Sequence, residues 1–183
     1  MSKAIIFVTG NKRKIGEAKL ACEPLGLEIQ TRSLEIDEIQ SSNPSTVSLH
    51  KAKAAYGKIA QPLVVTDTFW TVHSLNGFPG AYMKDVQGWF SSEDFIALVK
   101  DKSDKSVSFS ENITYIDEKT VKTFSKEFLG KIVTTPRGVG NSLENIAEFQ
   151  GVTLGERREQ GGYSHEPDEY VWVDFAKWYL GKC

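Results

Sequence analysis

Cysteine is nearly absent. Only two occur in 183 residues, Cys22 and Cys183, too few and too poorly placed for a disulfide scaffold or a zinc site. A long apolar run is also missing. The stretch Ala4–Val8 is too short for a signal-peptide core or a membrane span. Without a secretory signal, the sequon Asn112-Ile113-Thr114 is a chance match. Charge of one sign is not in excess, since the formal net charge is −2. That balance lacks the basic field with which proteins hold nucleic-acid polymers. These absences predict a cytoplasmic protein with no membrane and no nucleic-acid polymer as partner. An anionic ligand would have to be held by a local cluster, which favours a small ligand. Repeats, low-complexity tracts and linkers are missing as well, so residues 1–183 are expected to form a single two-lobed domain.

What is present alternates between strand and helix signals. Ala4–Thr9 (AIIFVT) is a short β-rich run ending at Gly10, read as a buried strand. Asn11 stands where a helix cap belongs, Ile15, Ala18, Cys22 and Leu25 follow at helical spacing, and Gly26 closes the helix. A strand near Leu27–Arg32, a helix near Pro44–Ile59 and a strand at Leu63–Thr66 extend the β-α alternation. Beyond Asp67, TFWTVHSL is strand-like and Asn76–Gly80 has loop chemistry. Ser92–Lys100 reads as a short helix. VSFSENITYID and VKTFSKEFLGKIV read as paired strands joined at Asp117-Glu118-Lys119. The tail sets Val171, Phe175 and Trp178 on one helical stripe, with Pro167 in its first turn. The predicted fold is α/β, a mixed central sheet with flanking helices and an antiparallel extension. Its two lobes are expected to leave an active-site cleft between them.

Three segments could carry chemistry. In Val8–Lys19 (VTGNKRKIGEAK) a strand runs through a glycine turn into a helix N-terminus, where free backbone N–H groups and the helix dipole suit an anion. Lys12, Arg13 and Lys14 add charge, and Asn11 adds a side-chain donor. Neither GxxxxGK[ST] nor GxGxxG is present, so on pattern alone a capped helix with a solvated basic face fits equally. In Val64–Trp70 (VVTDTFW), Asp67 ends an apolar strand, the usual place for functional side chains in α/β sheets. A carboxylate there can orient Mg²⁺ or take a proton from water, or simply cap a turn. In Gly161–Glu169 (GGYSHEPDE), His165 follows Ser164, and Arg157 and Arg158 precede them within reach of an anion. A surface loop with a capping serine accounts for the same residues.

Taken together these segments resemble the inosine-triphosphate pyrophosphatases. These Ham-type enzymes hydrolyse noncanonical purine nucleoside triphosphates to the monophosphate and pyrophosphate. Thr9, Gly10, Asn11, Lys14 and Glu17 fit the family's opening signature. Asp67, Val72, Leu75, Gly77, Pro79 and Gly80 fit its middle one. Ile39-Gln40, Lys51-Ala52, Gly130-Lys131-Ile132, Pro136-Arg137-Gly138 and Ser164-His165 also have counterparts. The resemblance implies a phosphate site of Thr9, Asn11, Lys14 and Lys51. It implies metal-site acids Glu17, Glu38 and Asp67 with Mg²⁺ as cofactor, and Asp67 as the group that activates water. It further implies a nucleoside triphosphate substrate, base-side residues Asn145, Gln160, Ser164, His165 and Glu166, and a homodimer.

The departures from that pattern are uneven. Thr66 replaces an acid, Phe69-Trp70 replace smaller residues beside Asp67, and Ser45-Thr46-Val47 stand where an acid is common. At the base end, Val139–Phe149 lacks the aromatic expected to stack on the base, and Asn145 falls near the place of an aspartate. Glu159-Gln160 replaces Glu-Lys, and Ser164-His165-Glu166 replaces Ser-His-Arg. A donor has become an acceptor, and pockets discriminate by such pairs. Two readings fit this contrast. One is a pyrophosphatase with altered base choice. The other is a catalytically impaired nucleotide-binding or regulatory protein on the same scaffold. A pyrophosphatase of the septum-formation type fits less well, because its first motif is serine-rich and carries arginine.

Overall fold

The computed structural model describes residues 3–37, 39, 41, 43–162 and 165–182. Its strands are β1 (Lys3–Val8), β2 (Leu27–Arg32), β3 (Leu63–Val72), β4 (Pro79–Gly80), β5 (Ser106–Ile116), β6 (Val121–Ile132), β7 (Ala147–Phe149) and β8 (Val152–Thr153). Its helices are α1 (Lys12–Cys22), α2 (Pro44–Ile59), α3 (Met83–Val86), α4 (Ser92–Val99), α5 (Leu154–Glu159) and α6 (Val171–Leu180). The strands form one mixed sheet in the order β2-β1-β3-β5-β6-β7-β8, with β4 paired to β3. The predicted α/β class with a mixed central sheet is therefore correct.

Two compact units divide the chain, the first comprising Met1–Asp67, Glu111–Lys126 and His165–Cys183, the second Thr68–Ser110 and Glu127–Ser164. In the first unit, β1 pairs in parallel with β2 (Ile5 opposite Ile29) and with β3 (Ile6 opposite Leu63). Side chains alternate across a strand, so each strand supplies both faces. Ile5, Phe7, Val64, Ile113 and Tyr115 turn toward α1 and α6, packing on Ala18, Cys22, Trp172 and Phe175. Ile6, Val8, Leu63, Val65 and Ile116 turn the other way, toward Ala52 and Ala55 of α2. A sheet buried on both faces needs near-continuous apolar strands, which is why β1 reads AIIFV.

Local chemistry sets the helix ends. Asn11 accepts from the amides of Arg13 and Lys14 at the start of α1, and Gly26 (φ 87°) ends the turn that follows it. Asn43 caps α2, with Pro44 in its first turn and Ala60 in the left-handed region at its end. Pro167 lies outside any helix, contrary to the sequence reading. Helix α6 begins only at Val171, and the loop before it is held by the Glu169 amide donating to the Glu166 carbonyl at 3.0 Å. The predicted strand at Leu63–Thr66 and the strand-like run after Asp67 are one continuous strand as far as Val72, followed by a single 3₁₀ turn at His73–Leu75.

The second unit has its own core. Trp70, Val72, Met83, Val86, Phe95, Val107, Phe109, Leu143, Ile146 and Phe149 form one cluster. Trp70 packs on Phe109 with ring centroids 4.9 Å apart. Its bulk is spent on that core, which explains an aromatic where the family has a smaller residue.

Phe175 is fully buried and its ring meets Tyr115, Phe124, Trp172 and Tyr179. Replacing it with alanine should cost about 3–5 kcal/mol of folding stability. Urea unfolding of Phe175→Ala against the parent measures this, and a loss below about 1 kcal/mol would show that the α6 face is not the keystone of this core.

Candidate active site

Most of the first unit's described residues named from the sequence follow β1, lie on α1 or α2, or lie in β3, where Asp67 falls mid-strand and not at the strand end expected from the sequence. Thr9 follows β1, and its Oγ1 accepts from the Asn11 amide at 3.1 Å. The Asn11 Oδ1 accepts from Arg13 N at 3.0 Å and Lys14 N at 3.3 Å. Two amides that the sequence reading held free for an anion are thus closed by the cap. Side chains then supply the cationic character of this turn.

Lys14 is half-buried, and its ammonium is poorly solvated. Desolvation, with Lys51 as the next cause, lowers its pKa to about 8, while Asp67 acts in the opposite direction. Lys51, from α2, does not stand alone. Its Nζ donates to Asp67 Oδ1 at 2.9 Å and to the Thr66 carbonyl at 3.3 Å. The pair is largely enclosed, with side-chain exposures of 18% and 14%. The other oxygen, Asp67 Oδ2, is buried without a hydrogen-bond partner among the described residues, as is the neighbouring Thr66 Oγ1. Lys14, Lys51 and Asp67, all named from sequence, are therefore brought together.

Glu17, one turn along α1, is 3% exposed, and its Oε1 takes Arg13 Nη1 at 2.8 Å. The basic face of α1 is thus partly neutralised from within. Beneath it lies a residue that sequence reading missed. Glu111 shares a face of β5 with Ile113 and Tyr115 by strand alternation, and it is 7% exposed. Burial and then Glu17 push its carboxyl up to about 7, against the pull of Lys14, Arg13 and Lys126. An acid in a strand otherwise buried was the available signal. Glu38 lies outside the described residues.

The base-side set is dispersed between the units. His165 belongs to the first. It is 8% exposed, its amide donates to the Tyr170 hydroxyl at 3.2 Å, and its Nε2 lies 3.8 Å from Glu111 Oε1. Glu166 is exposed, with its amide on Glu169 Oε2 at 3.1 Å. Asn145 and Gln160 belong to the second unit. Asn145 is half-buried with an unpartnered Oδ1 among the described residues, and Gln160 is exposed just after α5. Ser164 lies outside the described residues. Arg158, offered by the sequence as an anion ligand, is instead paired with the buried Glu144.

For a metal, no group of three or more His, Cys, Asp or Glu among the described residues could enclose an ion. Asp67 Oδ2 is nevertheless an open hard-oxygen ligand. Mg²⁺ keeps several waters and commonly uses one or two carboxylates plus substrate phosphates. The donor set fits that mode of binding and not an all-protein cage.

In the first unit Lys14 and Lys51 thus flank an enclosed carboxylate carried by β3. The chain belongs to the Ham1 family, whose profile matches residues 5–143. It is 29% identical to the dITP/XTP pyrophosphatase of Methanosarcina acetivorans over 183 residues, which cover 98% of each chain. It is 32% identical to the inosine triphosphate pyrophosphatase of Neurospora crassa over 170 residues, 87% of this chain and 84% of that one. The HAM1 protein of Coxiella burnetii shares the fold, with a TM-score of 0.79 at 18% identity over 99% of this chain and 100% of that one. No helix among the described residues is long and apolar enough to cross a membrane.

A lysine with a pKa near 8 loses its charge within the working range. Affinity for a triphosphate should therefore fall as pH rises from 7 to 9, as Lys14 deprotonates. Lys14→Arg, charged throughout, should flatten that profile. Calorimetric titration with inosine triphosphate at each pH is the check, and an unchanged slope in the variant would remove Lys14 from the phosphate site.

Proposed function

We propose that the protein is a Mg²⁺-dependent nucleoside triphosphate pyrophosphatase that cleaves noncanonical, inosine- or xanthosine-type substrates to the monophosphate and pyrophosphate. The observation that carries this reading is the state of Asp67. One oxygen is fixed by Lys51 at 2.9 Å and the other is buried and unpartnered. A carboxylate so held has one orientation and one oxygen left to accept a proton from water. The names of the similar archaeal and fungal proteins support the same substrate class.

In this reading Lys14, with Thr9 and Asn11 beside it, takes the phosphate chain. Lys51 serves Asp67 as well as the phosphates, since its Nζ donates to the carboxylate at 2.9 Å. Asp67 Oδ2 takes a proton from a water aimed at the α-phosphorus. The water oxygen bonds to that phosphorus, the α–β bridging bond breaks, and pyrophosphate leaves. Asp67, with Glu17 and Glu38 as further acids, would hold Mg²⁺, which when bound neutralises phosphate charge. His165 and Glu166 of the first unit take the base side, and Glu166 gives it an acceptor in place of a cationic donor.

A second reading, a nucleotide-binding protein with weakened catalysis, draws on Thr66 and on the lack of a three-acid cluster among the described residues. Pyrophosphate release from a panel of triphosphates with Mg²⁺ separates the two. Turnover on inosine or xanthosine triphosphate that falls about 10²–10⁴-fold in Asp67→Asn, with nucleotide binding retained, is expected. Binding without turnover in the parent protein would select the second reading. Glu166→Arg should raise kcat/KM for inosine triphosphate about tenfold by restoring a charged donor. Unaltered kinetics would place Glu166 outside the base pocket.

A further inference from the structure

We propose that Glu111 is a positioning residue for base recognition, holding the His165 imidazole in place from beneath. This rests on the reading of His165 as a base-side residue given above. Glu111 and His165 are both nearly sealed from water, with side-chain exposures of 9% and 5%. The Nε2–Oε1 distance of 3.8 Å brings the ring edge to the carboxylate. The opposite constraint comes from Tyr170. Its hydroxyl receives the His165 amide at 3.2 Å, and its ring meets the imidazole edge-on at 5.4 Å. Tyr170 is itself 1% exposed and part of the α1–α6 core. The backbone and ring of His165 thus meet a core tyrosine, and the ring's Nε2 faces Glu111 across 3.8 Å.

A buried carboxylate is costly unless a polar neighbour makes use of it. Strand alternation offers no reason for an acid here, since Ile113 and Tyr115 on the same face are core residues. The charges around Glu111 are Arg13, Lys14 and Glu17 of α1, Lys126 of β6, and His165. Arg13 is already committed to Glu17 at 2.8 Å. Among these groups only His165 is at once buried and assigned to the base. Glu111 therefore links the phosphate-side cluster around Lys14 to the base-side imidazole, inside a single unit of the fold.

The test compares Glu111→Gln, which keeps shape and removes charge, with His165→Ala and the double variant. Substrates are inosine triphosphate and inorganic tripolyphosphate, the latter having no base. Glu111→Gln is expected to raise KM for inosine triphosphate about tenfold with little change in kcat, and not to weaken tripolyphosphate binding, because a negative charge near Lys14 has been removed. The double variant should be no worse than His165→Ala alone, and Glu111→Asp should recover part of the loss. Equal losses on both substrates, or additive losses in the double variant, would overturn the assignment. So would parent-like kinetics in Glu111→Gln. A parent protein that does not bind inosine triphosphate would instead overturn the function on which the assignment rests. Thermal melting of each variant separates misfolding from these outcomes, and if Glu111→Gln melts early the Glu111→Asp kinetics decide by the same criteria.

Discussion

Burial of the first unit's sheet on both faces is the constraint from which its site follows. Strands β1 and β3 alternate Ile5, Phe7 and Val64 toward α1 and α6, and Ile6, Val8, Leu63 and Val65 toward α2. With both faces spent on packing, few positions are left for a polar side chain. Thr9 follows β1, Asp67 interrupts the apolar run of β3, and Lys14, Glu17 and Lys51 come from the helices. Glu111 is a second acid inside a strand, and its raised pKa is the sign of its burial.

The polar clusters of the two units are held by different physics. At Asp67, an enclosed ion pair fixes a carboxylate whose second oxygen has no protein partner. Breaking such a pair strands a buried charge, so its geometry is strongly enforced. In the second unit, Arg137 bridges Glu148 and Glu156, Arg158 pairs with Glu144, and Asn141 receives the amides of Leu143 and Glu144. These contacts hold the loop to itself. Arg158, which the sequence seemed to offer to an anion, is consumed by that packing.

Local signals were the legible part of the sequence. Asn11, Gly26, Pro44 and the alternation in AIIFV mark elements through the chemistry of caps, turns and pleats, and the structure places α1, β2, α2 and α4 where those signals put them. Asp67 was visible because it follows the apolar run Leu63–Val65, although the strand continues through it to Val72 and does not end there as the sequence suggested. What could not be read were contacts made across the chain. Lys51 and Asp67 meet over a separation of 16 residues, and Arg158 and Glu144 over 14. Glu111 and His165 are farther apart still. No periodicity encodes a partner at such distances. Helix α6 misled in another way. Pro167 is permitted in a first turn, yet Tyr170 is drawn into the core, where its hydroxyl holds His165, and the helix starts only after it.

The segments on either side of Asn145 touch with no room to spare. A methyl group on Gly138 would stand 2.0 Å from the Gly155 carbonyl carbon, and one on Gly155 would stand 2.5 Å from the Arg137 oxygen. Backbone presses on backbone there, and neither chain can yield as the end of a flexible side chain would. These two stretches consequently behave as a fixed frame. A side chain at either glycine would force the two backbones apart, so their close approach admits only glycine at both positions.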